Sequence, residues 1–324
     1  MVKAIQFKAP GGPEVLEMTD IDLAAPAAGE ITVRHTAIGL NFIDTYHRSG
    51  LYPLPLPSGI GMEGAGVVEA LGSGVSDLAV GDRVAYASPP PGSYAEARNI
   101  AADRVVKIPA GIEDQTAAAM MLKGMTAQYL IRQIYKVGKG DTILIHAAAG
   151  GVGQIVCQWA NHLGATVIGT VGSKEKAEIA RANGCHHPVL YNDEDFVERV
   201  KEITDGKMLP VVYDSIGNTT FEKSLDCLRP RGLMVSFGQA AGPIPPVNLG
   251  IFAQKGSLFF TRPTLFNYIS TADDLRATAG DLFDAVSSGA VKIHIDQTFP
   301  LAEAKAAHEA LEARKTTGST ILIP

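Results

Sequence analysis

The sequence predicts an α/β protein made of a β-rich part and a doubly wound parallel sheet. Three observations carry this. From about residue 124 to residue 264, apolar β-type runs alternate with helix-length segments, the pattern of a parallel sheet covered by crossover helices. The first third lacks that alternation and shows short β-like runs broken by glycine and proline turns. A glycine-rich turn, residues 146–153, joins the first alternating strand to its helix.

Taken in order, β-like runs are expected at 31–37, 64–70 and 82–87, and the prolines of Pro53-Leu54-Pro55-Leu56-Pro57 stiffen a loop. Strands follow at 142–146, 166–171, 188–191, 210–214, 232–237 and 257–261, with helices at 151–163, 174–183, 194–204 and 219–228. After Pro263 come an amphipathic helix at 272–288, a strand at 292–299, a helix at 301–313 and a last strand at 319–323. A terminal strand needs a sheet to join. The simplest solution returns the C-terminal segment to the N-terminal part, giving a catalytic domain of 1–123 and 265–324 around a nucleotide domain of 124–264. His186-His187, just before Pro188, reads as a turn rather than a metal site.

At 324 residues and 46% hydrophobic, the chain can bury a large core. With 28 basic against 34 acidic residues the net charge is -6, so no basic field favours nucleic acid or an anionic membrane surface. No apolar run reaches the roughly 18 residues of a membrane helix. The opening Met1 to Phe7 alternates like an edge strand and lacks the apolar core of a signal peptide. With three scattered cysteines, Cys157, Cys185 and Cys227, the expectation is a cytoplasmic protein with reduced thiols.

The turn itself, His146-Ala-Ala-Ala-Gly-Gly-Val-Gly153, reads as Ala148-x-Gly150-x-x-Gly153, a dinucleotide fingerprint with alanine in the first glycine position. Ala149, Gly150, Gly151, Val152 and Gly153 then meet a pyrophosphate. Their N–H groups and the helix dipole favour the anion. The competing reading is a small-residue helix start that serves packing alone. An NAD site usually carries an acid at the end of the second strand, for the ribose 2'-hydroxyl. Here stand Thr170-Val171-Gly172-Ser173-Lys174-Glu175-Lys176. A hydroxyl and lysines suit a 2'-phosphate, so Gly172, Ser173 and Lys176 point to NADPH. The plainer alternative is that the lysines solvate a helix start, a poor place for cations.

Several collinear segments now identify a relationship. Gly11-Gly12-Pro13-Glu14-Val15-Leu16, Asn41 to Tyr46, Gly50-Leu51-Tyr52-Pro53, Gly61 to Val68, the glycine loop and Gly232 to Gly238 together resemble the zeta-crystallin-like NADPH:quinone oxidoreductases. These form a zinc-free branch of the medium-chain dehydrogenase/reductase superfamily, and the resemblance is strongest to bacterial members. It runs over the whole chain and implies a GroES-like catalytic domain beside a Rossmann domain. Zinc-dependent relatives place cysteine where Asn41 stands and histidine where Met62 stands. An amide and a thioether do not replace those ligands, so no metal is expected.

The resemblance further implies an interdomain cleft in which Asn41, Tyr46 and Tyr52 approach the nicotinamide and a quinone by hydrogen bonding and stacking, with packing alone as the alternative for the tyrosines. It carries cofactor contacts over to Asn41, Thr126, Tyr191, Ser215, Phe237, Gly238, Gln239 and Arg262, with Lys123 and Lys315 as further candidates. The expected activity is metal-free reduction of quinones by NADPH. The alternatives are reduction of α,β-unsaturated carbonyls, or a structural or RNA-binding role of the crystallin kind, against which the acidic balance speaks. The apolar run 256–261, at the end of the parallel sheet, would leave an open edge, so a homodimer through that strand is expected.

Overall fold

The computed structural model describes all 324 residues. The chain begins with β1 (Val2–Phe7), β2 (Glu17–Ile21), β3 (Glu30–Leu40), helix α1 (Phe42–Ser49), β4 (Ser58–Gly59), β5 (Glu63–Leu71), β6 (Arg83–Ala87), β7 (Ala97–Ala101) and β8 (Val106–Lys107). Helix α2 (Asp114–Gln128) leads to β9 (Thr142–Ile145), α3 (Gly151–His162), β10 (Thr166–Val171), α4 (Lys174–Ala182), β11 (His187–Leu190), α5 (Phe196–Ile203), β12 (Leu209–Asp214), α6 (Phe221–Asp226) and β13 (Leu228–Ser236). Then follow α7 (Gly250–Gln254), β14 (Phe259–Thr261), α8 (Leu265–Tyr268), α9 (Ala272–Ser287), β15 (Ile295–Pro300), α10 (Ala304–Glu312) and β16 (Ser319–Ile323).

Two compact units result. The first comprises residues 1–125, 269–287 and 293–324, and the second 126–268 and 288–292. Residues 288–292 belong to the second unit because Lys292 is tied to α3: its N–H donates to Gln158 Oε1 at 2.8 Å, and its carbonyl accepts from Gln158 Nε2 at 3.0 Å.

In the first unit the long β3 is the organiser, pairing antiparallel with β5, β7 and β16 in a seven-stranded sheet, while β1 pairs with β2 and β4 in a smaller one. Its burial pattern has Ile31, Val33, Ile38 and Leu40 inside. One cluster gathers Ile31, Val33, Val68, Val84, Tyr86 and Ile100. A second packs Ile5, Phe7, Ile38, Ile60 and Leu322 against Leu301 and Ala304.

In the second unit six strands lie parallel in the order β11-β10-β9-β12-β13-β14. This is a doubly wound sheet, and the strand order reverses between β9 and β12. Every residue of β12 is buried, as a strand covered on both faces must be. Several local details differ from expectation, among them β15 and α10, which begin later, at Ile295 and Ala304. β13 begins at Leu228, four residues early, since Leu228 pairs with Leu209 before a register shift at Pro230 and the left-handed Arg231. β14 is shorter, because Ser257 has φ 56 and leaves the extended region. His186-His187 is not a turn: His187 opens β11 and pairs with Ile168, and His186 Nδ1 accepts from the Val167 N–H at 3.0 Å.

Candidate functional site

In the second unit the loops that follow β9 to β13 carry most of the expected cofactor residues. β9 ends at Ile145, and the chain turns through Ala147, a non-glycine residue with φ 55, so that the Gly150 N–H reaches the Ala147 carbonyl at 2.9 Å. Gly150 is the N-cap of α3 and no side chain caps that helix, which leaves its first N–H groups for a ligand. Gly153 has no room for a side chain: a Cβ there would lie 2.3 Å from Ala147 O and 2.7 Å from Ala148 Cα. Ala149, Gly150, Gly151, Val152 and Gly153 thus form one cradle.

Gly172 follows β10, and a Cβ on it would sit 2.7 Å from the Tyr191 hydroxyl, which comes from the end of β11. Tyr191 is 43% exposed, a large open ring beside the end of β10. Ser173 caps α4, its Oγ accepting from the Lys176 N–H at 3.3 Å. Ser215 after β12 and Phe237-Gly238-Gln239 after β13 are stitched together. The Ser215 carbonyl accepts from Ala240 at 3.0 Å, and a Cβ on Gly238 would meet it at 2.7 Å. Arg262, after β14, donates to the Ser236 carbonyl at 3.0 Å. Thr126 lies buried in α2.

Beneath this row lies a buried polar network. His146 bridges Thr170 Oγ1 at 2.8 Å and Ser224 Oγ at 2.9 Å, and Ser224 donates to Asp214 Oδ2 at 3.2 Å. Asp214 also receives the N–H groups of Ile216 and Gly217 at 2.7 and 3.0 Å and the Thr220 hydroxyl at 2.7 Å. One carboxylate therefore shapes the loop that carries Ser215. Burial holds the His146 pKa below its ordinary value.

These features fit a dinucleotide phosphate. The α3 N-terminus is uncapped, the glycine cradle lets backbone approach closely, and the end of β10 offers Gly172 and Ser173 where an acid would repel a 2'-phosphate.

The first unit holds a second group. Asn41 follows β3 and N-caps α1, its N–H donating to Asp44 Oδ2 at 2.9 Å while the Asp44 N–H donates to the Asn41 carbonyl at 3.0 Å. The same helix carries Tyr46. Its ring meets that of Tyr52 edge-on, with centroids 5.3 Å apart, and the Tyr52 N–H donates to the Tyr46 carbonyl at 3.0 Å.

Below Asn41 sits Glu63, fully buried. Its Oε2 accepts Asn41 Nδ2 at 2.7 Å and its Oε1 accepts the Leu122 N–H at 2.7 Å. Lys123 Nζ stands 3.4 Å from the same Oε2 and donates to the Leu40 carbonyl at 3.0 Å. A Cβ at Gly39 would lie 2.1 Å from Glu63 Oε2, so glycine in β3 makes room for this carboxylate.

From Asp44 a chain of hydrogen bonds leads away. The Tyr94 hydroxyl donates to Asp44 Oδ2 at 3.0 Å and lies 3.1 Å from His308 Nε2; Arg48 Nη1 is 3.0 Å from His308 Nδ1, and Arg48 Nη2 reaches Glu312 at 2.6 Å. Burial, with Arg48 as neighbour, takes His308 down to about 3. Its Nδ1 therefore accepts from Arg48, and its Nε2–H is left to point at Tyr94. Burial raises Asp44 to about 7 against the bonds from Asn41 and Tyr94.

The sequence reading named Asn41, Tyr46 and Tyr52 but not Glu63, Asp44, Tyr94, His308, Arg48 or Asp214. Asn41 is a visible helix N-cap with an acid at Asp44 in the first turn, and Glu63 is a lone charge in a small-residue strand. The Arg48–His308 contact spans 260 positions and leaves no local mark.

Residues 27–137 match the alcohol dehydrogenase GroES-like domain, and residues 151–285 match the zinc-binding dehydrogenase family. The quinone oxidoreductase of Pseudomonas aeruginosa is 58% identical over all of both chains. The crystal structure of Escherichia coli quinone oxidoreductase complexed with NADPH superposes with a TM-score of 0.98 at 52% identity, covering 99% of this chain and 100% of that one. A 2-haloacrylate reductase from Burkholderia is 48% identical over 100% of this chain and 99% of its own length.

A GroES-like domain continued by a doubly wound nucleotide sheet is the architecture of a medium-chain dehydrogenase/reductase. Where its zinc-dependent members carry cysteine and histidine, this chain carries Asn41 and Met62. Within that superfamily the chain belongs to the zinc-free quinone oxidoreductases.

Proposed function

We propose that this protein reduces quinones with NADPH. The observation that carries the reading is identity of 58% and 52% over the full chain to two bacterial quinone oxidoreductases, one of them solved with NADPH. NADPH supplies a hydride when bound. The cradle at Ala149 to Gly153 holds the pyrophosphate on the α3 N-terminus, and Gly172, Ser173, Lys176 and Tyr191 surround the 2'-phosphate. Ser215, Phe237, Gly238, Gln239, Arg262, Thr126 and Asn41 complete the cofactor contacts. Tyr46 and Tyr52 present ring faces and hydroxyls that orient the acceptor. A quinone suits such a site because the charge left after hydride addition delocalises over its ring to an oxygen that water protonates.

The 2-haloacrylate reductase at 48% identity favours a second reading, reduction of activated alkenes. A panel of quinones, enones and 2-chloroacrylate, followed at the NADPH absorbance, tests both. Turnover of quinones ahead of alkenes supports the first. Turnover of alkenes alone replaces it with the second.

Cofactor selectivity supplies a sharper expectation. One charge-assisted bond to a phosphate is worth about 1.5–3 kcal/mol. Lys176→Ala should therefore weaken NADPH by roughly tenfold or more and leave NADH nearly unchanged. Equal losses for both, measured by fluorescence titration, would show that Lys176 does not read the phosphate.

The assembly we propose is a homodimer through β14, which ends the six-stranded sheet and leaves Phe259 62% and Phe260 41% exposed. Pairing the same strand across a two-fold axis covers that edge. Light scattering should give twice the chain mass at micromolar concentration, and Phe259→Lys should shift it to the monomer. A dimer that survives the lysine would place the interface elsewhere. No helix is long and apolar enough to cross a membrane. The three free, buried thiols support the cytoplasm as its compartment.

A further inference from the structure

Glu63 draws three donors to one buried spot, and two polar groups there stay open. The carboxylate accepts from Asn41 Nδ2 and the Leu122 N–H and faces Lys123. Lys123 is only 8% exposed, and its three ammonium hydrogens meet two acceptors, Leu40 O at 3.0 Å and Glu63 Oε2 at 3.4 Å. The second contact is longer than the about 2.7–2.9 Å of a full charge-assisted bond. The ammonium is therefore held beside the carboxylate rather than collapsed on it. Asn41, 4% exposed, spends its Nδ2 on Glu63, and its Oδ1 has no hydrogen-bond partner. Leaving a buried acceptor unpaired costs about 1–3 kcal/mol, which a ligand bearing a donor would recover.

We propose that Lys123 is a catalytic residue: its free N–H donates to the carbonyl oxygen of the bound quinone, and Asn41 Oδ1 accepts the O–H of the hydroquinone that forms. The proposal rests on the quinone-reductase reading above. In the step, NADPH is oxidised to NADP+ as its hydride adds to the quinone, which gains two electrons and one proton. The negative charge moves to the oxygen facing Lys123, and that oxyanion takes its second proton from water. Asn41 and Met62 bring no metal cation to this spot. Lys123 is the cation bonded to the carboxylate there, and a fixed donor in a water-poor site stabilises an oxyanion without reorganisation.

The test compares Lys123→Met, which keeps length and removes charge, with the double variant Lys123→Met/Glu63→Gln, which removes both charges. Losing one oxyanion donor costs about 100-fold or more in turnover, so Lys123→Met should lower kcat/KM for quinones by that factor, with NADPH affinity within about threefold of the parent. The single variant should also melt early, because it strands a buried carboxylate. The double variant should recover the melting temperature and not kcat/KM. If the single variant does not fold, the double variant carries the comparison.

Recovery of kcat/KM together with the melting temperature would overturn the proposal, since the ammonium would then only balance Glu63. A loss of NADPH affinity as large as the loss of turnover would overturn it too, by assigning the ammonium to the cofactor. A parent protein that reduces no quinone refutes the functional reading, and the proposal falls with it. A parent that turns over quinones no faster than Lys123→Met refutes the proposal alone.

Discussion

Replacing Gly153 by alanine should destroy the cofactor cradle. The added Cβ would lie 2.3 Å from Ala147 O and 2.7 Å from Ala148 Cα, both backbone atoms of the turn that defines the site. Neither yields as a flexible side chain does, so the first turn of α3 must lift from the end of β9. Overpacking of this kind costs about 3 kcal/mol, and NADPH affinity should fall by at least about 100-fold because the α3 N–H groups no longer converge. Gly280 in α9 is the matched control. A Cβ there meets nothing within 4 Å, and alanine should stabilise the helix by up to about 1 kcal/mol. Chemical denaturation and NADPH titration of the two variants read both effects. A Gly153→Ala protein that binds NADPH normally would remove the cradle from the account.

Asp44→Asn should raise stability at alkaline pH and leave it little changed near pH 4. The carboxyl is buried, its pKa is lifted from 3.8 to about 7, and its Oδ1 has no hydrogen-bond partner. An acid with a raised native pKa keeps a proton that the unfolded chain has lost. Stability from this group is therefore present below about pH 4, falls as pH rises toward 7, and is level above. At 1.36 kcal/mol per pKa unit, the gain from asparagine at pH 8 is on the order of 4 kcal/mol. The amide oxygen takes over the bonds from the Asn41 N–H and the Tyr94 hydroxyl, so the network survives. Denaturation midpoints from pH 4 to pH 8 measure the slope. Parallel curves for parent and variant would mean that Asp44 is ionised at no cost.

Much of this was legible in the sequence because the signals are local. The parallel strands are continuous apolar runs, which is how a sheet covered on both faces must read, and β10 and β16 lie where the pattern put them. The glycine loop was legible for the same reason: a strand, a tight turn and a helix start within one short stretch. Errors arose where backbone conformation departed from the pattern. Ser257 and Arg231 adopt positive φ without being glycine, which shortened β14 and put a bulge in β13.

The buried polar groups were the least legible. Glu63 and Asp44 acquire their partners only in the fold, where Asn41 and Lys123 reach Glu63, and Tyr94, from the segment before β7, reaches Asp44. His308 sits in an ordinary amphipathic helix, and only the fold places it between Arg48 and Tyr94. No periodicity encodes partners so far apart in sequence.

The most direct measurement is the stoichiometry of anaerobic turnover with NADPH and 1,4-benzoquinone. The account predicts one hydroquinone formed for each NADPH oxidised, with NADH a poorer donor at the same concentration. It would be contradicted if neither this quinone nor any other in the panel consumed NADPH faster with the protein than without it.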